Sequence, residues 1–154
     1  MAYTLRRSLL VVMAGAALGL AANAISPRRI PIITPPKAPP QARDTVALEA
    51  AKALWGNGTA FFLDARATAD YRAGHIAGAL SLPIDEFDDH YPQIQPMLTA
   101  ESAIVVYCDG TDCDLSHRLM DRLHELGYRN VRLLVNGWTT WHKAGLLTHT
   151  GDQP

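Results

Sequence analysis

Two side chains in this 154-residue chain have the chemistry of a soft nucleophile, Cys108 and Cys113, and both fall in one short polar run. Cys108 follows Ile104-Val105-Val106-Tyr107, a β-branched apolar stretch that reads as a buried strand. Asp109-Gly110-Thr111-Asp112-Cys113-Asp114 comes next, and Leu115, Leu119, Leu123 and Leu126 then recur at helical spacing up to Gly127. A strand that passes through a short loop into a helix N-terminus makes a cup of backbone N–H groups. The six residues between Cys108 and Leu115 are enough to wrap such a cup around one sulfur atom. Those amides and the helix dipole stabilise an anion at the centre: the Cys108 thiolate, the outer sulfur of its persulfide, or a bound oxyanion. A cysteine so placed is expected to be a strong nucleophile. The plainer alternative is a small buried hydrophobe that ends a strand. The expected site is therefore Cys108 as the catalytic residue, with Asp109, Gly110, Thr111, Asp112 and Asp114 as its loop.

The elements that must position this loop alternate. Asp44 or Thr45 is placed to cap a helix reaching Trp55, with Val46, Ala50, Ala53 and Leu54 on one face and Gly56-Asn57-Gly58 as its stop. Ala60–Leu63 is a continuous apolar run, as in a strand buried on both faces, and Asp64-Ala65-Arg66 leaves its end. Ala69–Ala73 reads as one helical turn, Ala79–Leu82 as a second short strand stopped by Pro83, and Asp85–His90 as an exposed acidic run. Val131–Val135 is the next strand, and Trp138–Ala144 a closing helix after the Asn136-Gly137 turn. Strands alternating with helices imply an α/β fold whose parallel sheet is covered on both faces. Sites in such folds lie beyond the carboxyl ends of the strands, which is where Cys108 falls.

Three ordered motifs resemble those of rhodanese-like domains. Phe62-Leu63-Asp64-Ala65-Arg66 with Tyr71-Arg72-Ala73-Gly74-His75-Ile76-Ala77-Gly78-Ala79 is similar to the first signature. Val105-Val106-Tyr107-Cys108 with its loop and helix is similar to the active-site segment. Asn136-Gly137-Trp138-Thr139-Thr140-Trp141 with Ala144-Gly145-Leu146 is similar to the closing Gly-Trp segment. The resemblance covers residues 44–148. It implies a five-stranded parallel sheet flanked by helices, and a cysteine at Cys108 that accepts sulfane sulfur as a persulfide and passes it to a thiol. Asp64, Arg66 and His75 match family positions. Their expected role is support, with Arg66 paired to a carboxylate and His75 hydrogen-bonded behind the loop.

The loop departs from the family pattern. Members commonly carry a basic or neutral loop, often with glycine and arginine in its second half; this loop holds Asp109, Asp112 and Asp114 and no base, and each carboxylate disfavours a thiolate and repels anionic substrates. Asp114 also occupies the place a Cys-x5-Arg phosphatase needs for its arginine, which argues against phosphate-ester hydrolysis. Cys113 is either incidental or a resolving thiol that attacks a persulfide or sulfenic acid on Cys108 and leaves a loop disulfide. A metal held by Cys108, Cys113 and His117 is a weaker alternative. Three functions thus stand: sulfane-sulfur transfer, thiol–disulfide exchange through Cys108 and Cys113, and a non-catalytic sensor or scaffold.

Before the domain, residues 8–26 contain no charged residue, and nineteen helical residues span about 28 Å, roughly a bilayer's apolar thickness. The segment reads either as an uncleaved anchor, which Pro27-Arg28-Arg29 favours, or as a cleaved signal with Ala22 and Ala24 at the cut. Six of the ten prolines fall in residues 27–40, so residues 27–42 read as a semi-rigid spacer. The expected organisation is residues 1–26 as anchor or signal, 27–42 as linker, 43–150 as the domain and 151–154 as a tail. The domain is expected outside the cytoplasm of a bacterium, tethered to the membrane, or periplasmic or secreted after cleavage; a membrane protein is a candidate partner. Residues 1–42 carry five bases and no acid, and the remainder carries nine bases against fifteen acids. That acidic body gives no surface for nucleic acid. No CxxC pair, HExxH helix, GxxxxGK[ST] or GxGxxG occurs, so neither a standard zinc site nor a nucleotide site is expected, and no cofactor is called for.

Overall fold

The computed structural model describes Ser8, residues 12–19, Ala22, residues 44–110 and residues 114–154. Its contacts divide the chain into two units, Met1–Ala38 and Pro39–Pro154. In the first, residues 12–19 are helical. Among the described residues no helix is long and apolar enough to cross a membrane. Nine of the nineteen residues of the expected apolar segment 8–26 and all of the spacer 27–42 lie outside the described residues.

The second unit is built on a parallel sheet of β1 (Phe61–Asp64), β3 (Leu80–Ser81), β4 (Ala103–Tyr107) and β5 (Asn130–Leu134), in the order β3-β1-β4-β5. The register pairs Phe62 with Val105, Leu63 with Leu80 and Val105 with Arg132. Because side chains alternate along a strand, consecutive apolar residues serve opposite faces. Leu63, Ile104, Val106 and Leu133 pack on one side with Phe87 and Ile94 of α3 (Phe87–Ile94) and with Leu119 and Leu123 of α4 (Asp114–Glu125). Phe62, Val105, Tyr107 and Leu134 pack on the other with Ala51 of α1 (Leu48–Gly56) and Trp141 of α5 (Gly137–Lys143). Trp141 is fully buried, edge-on to Trp55 and Phe62 at 5.6 and 5.8 Å, and its indole N–H donates to the Leu147 carbonyl at 3.0 Å. One large side chain thereby closes that face without leaving a polar atom unsatisfied.

Three expectations are corrected. The sheet has four strands, not five: where a fifth would lie there is one parallel bridge, Thr45 to Leu133, with the Val46 N–H donating to the Leu133 carbonyl at 2.9 Å. That extended backbone and the burial of Val46 also displace the expected helix start. Neither Asp44 nor Thr45 caps α1, which begins at Leu48 after Ala47 with no side-chain cap and buries Ala51 rather than Ala50 or Ala53. The acidic run after Pro83 is not a plain exposed stretch. It forms a 3-10 turn, Ile84–Glu86, and then α3, because Phe87, Tyr91 and Ile94 recur at i, i+4 and i+7 beneath the acids. Beyond these, α2 (Thr68–Ala73) leads into a second sheet of two residues per strand, which joins β2 (His75–Ile76) antiparallel to β6 (Thr148–His149). Strands this short carry no periodicity to read.

Candidate active site

Cys108 follows the last residue of β4, a central strand of the sheet, and α4 begins at Asp114. Its carbonyl accepts the Trp138 N–H at 3.1 Å, so the first turn of α5 fixes the strand end. The sulfur is in a disulfide, and Cys108 is 2% exposed among the core side chains. The chain's other cysteine, Cys113, lies outside the described residues together with Thr111 and Asp112. The Ser116 hydroxyl stands 3.2 Å from Cys108 Sγ. A disulfide sulfur carries no hydrogen, so Ser116 is the donor there, and the 3.6 Å approach of Sγ to the Asp109 carbonyl is a contact rather than a hydrogen bond.

One loop amide is committed to partners other than the sulfur. Gly110 N–H is directed to Asn136 Oδ1 and to Asp109 Oδ1, both at 3.0 Å, and does not join the expected cup. Asp109 Oδ1 also accepts the Thr139 hydroxyl. Asn136 holds a left-handed backbone at φ 51°, a conformation that asparagine tolerates, and its carbonyl accepts Thr140 N–H and the Thr140 hydroxyl, each at 2.9 Å. Gly137 is required by close approach, since a Cβ there would stand 2.6 Å from Tyr107 Cβ. Asp114, at the exposed start of α4, lies 3.9 Å from Arg118, which also binds Asp85 at 2.8 Å.

Asp64 and Arg66 form a buried fork. The Arg66 guanidinium donates from Nη2 at 2.6 Å and from Nε at 3.0 and 3.2 Å to the Asp64 carboxylate, and its backbone N–H adds 3.0 Å to Oδ1. The same Nη2 also donates to the Gly74 carbonyl at 2.7 Å, and the guanidinium lies 4.7 Å from the Trp138 ring. Burial lowers the Arg66 proton affinity, but the hydrogen bonds and charge of Asp64 outweigh it and hold the guanidinium above its ordinary value. Burial, with the Asp64 charge next, likewise pushes the Tyr107 hydroxyl well up. A chain of contacts thus runs from Asp64 through Arg66 to Trp138, and from the Trp138 backbone to Cys108.

His75 is fully buried in β2, stacked on the Tyr71 ring at 3.7 Å, with Nδ1 2.8 Å from the Tyr71 carbonyl and Nε2 2.9 Å from the Gln153 carbonyl. The physical cause is β6: pairing β2 with it brings the C-terminal residues across His75, and Gly151 N–H and Asp152 both engage Arg72. Sequence reasoning had not singled out Ser116, and had read Asn136 only as a turn. A signal for Ser116 existed, since it shares the i, i+3, i+4, i+7 face of Leu119, Met120 and Leu123 and is the polar residue on that apolar stripe. The metal alternative drew on Cys113, which the described residues do not include; among them no group of three or more candidate ligands occurs.

A parallel sheet with the cysteine at the end of a central strand, followed by a loop and a helix, defines the class, and residues 47–144 match the family model of the rhodanese-like domain. The chain belongs to that family. It is similar to the HTH-type transcriptional regulator Rv0324 of Mycobacterium tuberculosis, 34% identical over 94 residues, which cover 61% of this chain and 39% of that protein. The chain therefore spans well under half the length of that curated relative. The rhodanese-like domain of the Alr3790 protein from Anabaena sp. superposes with a TM-score of 0.59 at 26% identity, covering 71% of this chain and 80% of that one. The human single-domain sulfurtransferase TSTD1 superposes with a TM-score of 0.55 at 22% identity, covering 65% and 96%, a likeness of fold.

Proposed function

We propose that this domain is sulfurtransferase-like and handles sulfane sulfur through a persulfide on Cys108. The observation that carries this reading is the position of Cys108 at the carboxyl end of β4 with the Ser116 hydroxyl 3.2 Å from its sulfur. A hydroxyl donor at that distance stabilises a thiolate or persulfide anion. Family membership supports the reading, and the human fold neighbour carries the name sulfurtransferase. In the first step the Cys108 thiolate attacks the outer sulfur of a donor persulfide. The donor S–S bond breaks, and the donor leaves as a thiolate with the electron pair. In the second, an acceptor thiolate attacks the outer sulfur of the Cys108 persulfide, and Cys108 leaves as the thiolate. The cycle needs no external oxidant or reductant once Cys108 is a thiol. Multiple-turnover transfer from an alkyl persulfide to a small thiol tests it. Reduced wild type should accelerate transfer and Cys108→Ser should not; equal rates would overturn the reading.

One observation favours a second reading: Cys108 is in a disulfide. Here Cys113 is the resolving thiol, and the protein exchanges disulfides with partner dithiols. Thiol titration against defined redox buffers separates the two, because this reading needs a reversible, concentration-independent bond within one chain. The same oxidised state accords with a location outside the cytoplasm, where disulfides persist. We place the domain there, tethered through residues 8–26 or released after cleavage, with a membrane protein as a candidate partner; the mass of the mature N-terminus in fractionated cells decides between anchor and signal.

A further inference from the structure

We infer that Asp109 selects the charge of the sulfur compounds that reach Cys108, favouring cationic or neutral thiols and disulfides over anionic ones, and that Thr139 and Asn136 are the positioning residues that hold its carboxylate for that purpose. This inference rests on the assignment of Cys108 as the reacting sulfur.

An exposed aspartate ordinarily swings through solvent, and its field at any one point is averaged and screened. Asp109 is exposed, yet one of its carboxylate oxygens is held from two directions, by the Thr139 hydroxyl of α5 and by Gly110 N–H at 3.0 Å. Gly110 N–H is itself shared with Asn136 Oδ1 at 3.0 Å, and Asn136 is the one non-glycine residue of positive φ among those described. The backbone on the other side of Asp109 is fixed as well, through Trp138 N–H to the Cys108 carbonyl at 3.1 Å. The carboxylate therefore stays beside the residue that reacts. Its charge reaches inward, where it adds to the stabilisation of the Arg66 cation.

The nearby cations do not cancel it for an incoming ligand. Arg66 is 6% exposed and bound in the fork to Asp64, and Arg118 is engaged by Asp85 at 2.8 Å and Asp114 at 3.9 Å. The run from Asp109 to Asp114 adds no base of its own. An anionic sulfur compound thus approaches a fixed negative charge while both of these arginines are committed to carboxylates, whereas an ammonium-bearing thiol gains on approach. A single charge acting across several ångströms of surface water changes an encounter rate about twofold to threefold per unit charge on the ligand.

The test uses the whole chain with Cys113→Ser, reduced, and three symmetric disulfides as probes: cystamine (cationic), hydroxyethyl disulfide (neutral) and dithiodipropionate (anionic). The Cys108 thiolate attacks one probe sulfur, the probe S–S bond breaks, a mixed disulfide forms, and the other half leaves as a thiolate that takes up a proton. Rates are normalised to those of free cysteine with the same probes. Cystamine and dithiodipropionate differ by four charge units, so their normalised rate ratio should be about 15-fold to 80-fold at low salt and should shrink as salt rises. Asp109→Asn and Asp109→Ser should each bring it towards unity, and Thr139→Ala and Asn136→Gly should lower it although the carboxylate remains. A ratio near unity in the parent, or one unmoved by both Asp109 variants in folded protein, would overturn the inference. Exchange needs only a reactive Cys108 thiol, so a flat charge order refutes selectivity alone, while failure to form a persulfide refutes the transfer reading alone.

Discussion

Replacing Asp64 by asparagine removes one charge from a pair that water does not reach. The side chains of Arg66 and Asp64 are 7% and 0% exposed, and three side-chain contacts at 2.6, 3.0 and 3.2 Å join them. The discount that applies to surface ion pairs is therefore absent. In Asp64→Asn the guanidinium keeps the Gly74 carbonyl and the Trp138 ring but no anion, and a buried cation left unpaired costs about 3–5 kcal/mol. For a folded domain of this size a kilocalorie moves the melting temperature about 4 °C, so a fall of about 12–20 °C is expected. Arg66→Met should be destabilising by a similar mechanism, with the Asp64 carboxylate left buried. The double variant Asp64→Asn, Arg66→Met should lose at least about 2 kcal/mol less than the sum of the singles, since it removes both charges together. Urea unfolding followed by circular dichroism measures all four proteins. A loss below about 1 kcal/mol for Asp64→Asn, or strict additivity in the double variant, would refute the view that this fork is a desolvated, mutually dependent pair.

Gly137→Ala should cost about 2 kcal/mol in the same urea assay, because the new Cβ would meet Tyr107 Cβ at 2.6 Å and Leu134 side-chain atoms at 3.1 and 3.2 Å. Ser116→Ala should slow iodoacetamide alkylation of reduced Cys108 at neutral pH about threefold to tenfold, with stability changed by about 1 kcal/mol or less. Burial pushes the Tyr71 and Tyr128 hydroxyls up to about 12, and Tyr107 higher than its ordinary range as well. The native state then keeps protons that the unfolded chain releases near pH 10, so stability should be full below about pH 10 and fall as pH rises towards about 12. Ultraviolet tyrosinate titration of the folded protein should show Tyr71 and Tyr128 keeping their protons up to about 12, and Tyr107 ionising well above the ordinary tyrosine range or on unfolding.

What could be read in the sequence follows from how local each signal is. β4, the cysteine after it and α4 were legible because an unbroken apolar run and leucines of helical period lie side by side in the chain. α3 was obscured by its own acids, which hide the Phe87, Tyr91 and Ile94 stripe, and β2 with β6 by having two residues each. The fifth strand was an inference from resemblance alone, and the residues that would form it make a single bridge. At the site the same division holds. The carboxylate partner of Arg66 is two residues away, so spacing could suggest it, whereas Asn136 reaches Gly110 across twenty-six residues and Gln153 reaches His75 across seventy-eight. Those are tertiary encounters, created by where α5 and β6 dock, and no local pattern encodes them.

The account turns on Cys108 as a sulfur that accepts another sulfur. Intact-mass analysis of the reduced chain after a brief treatment with a persulfide donor measures this directly. A gain of about 32 Da is expected that maps to the peptide containing Cys108, disappears on adding a thiol acceptor and is absent in Cys108→Ser. An unmodified mass after treatment with several donors, or an adduct retained in Cys108→Ser, would contradict it.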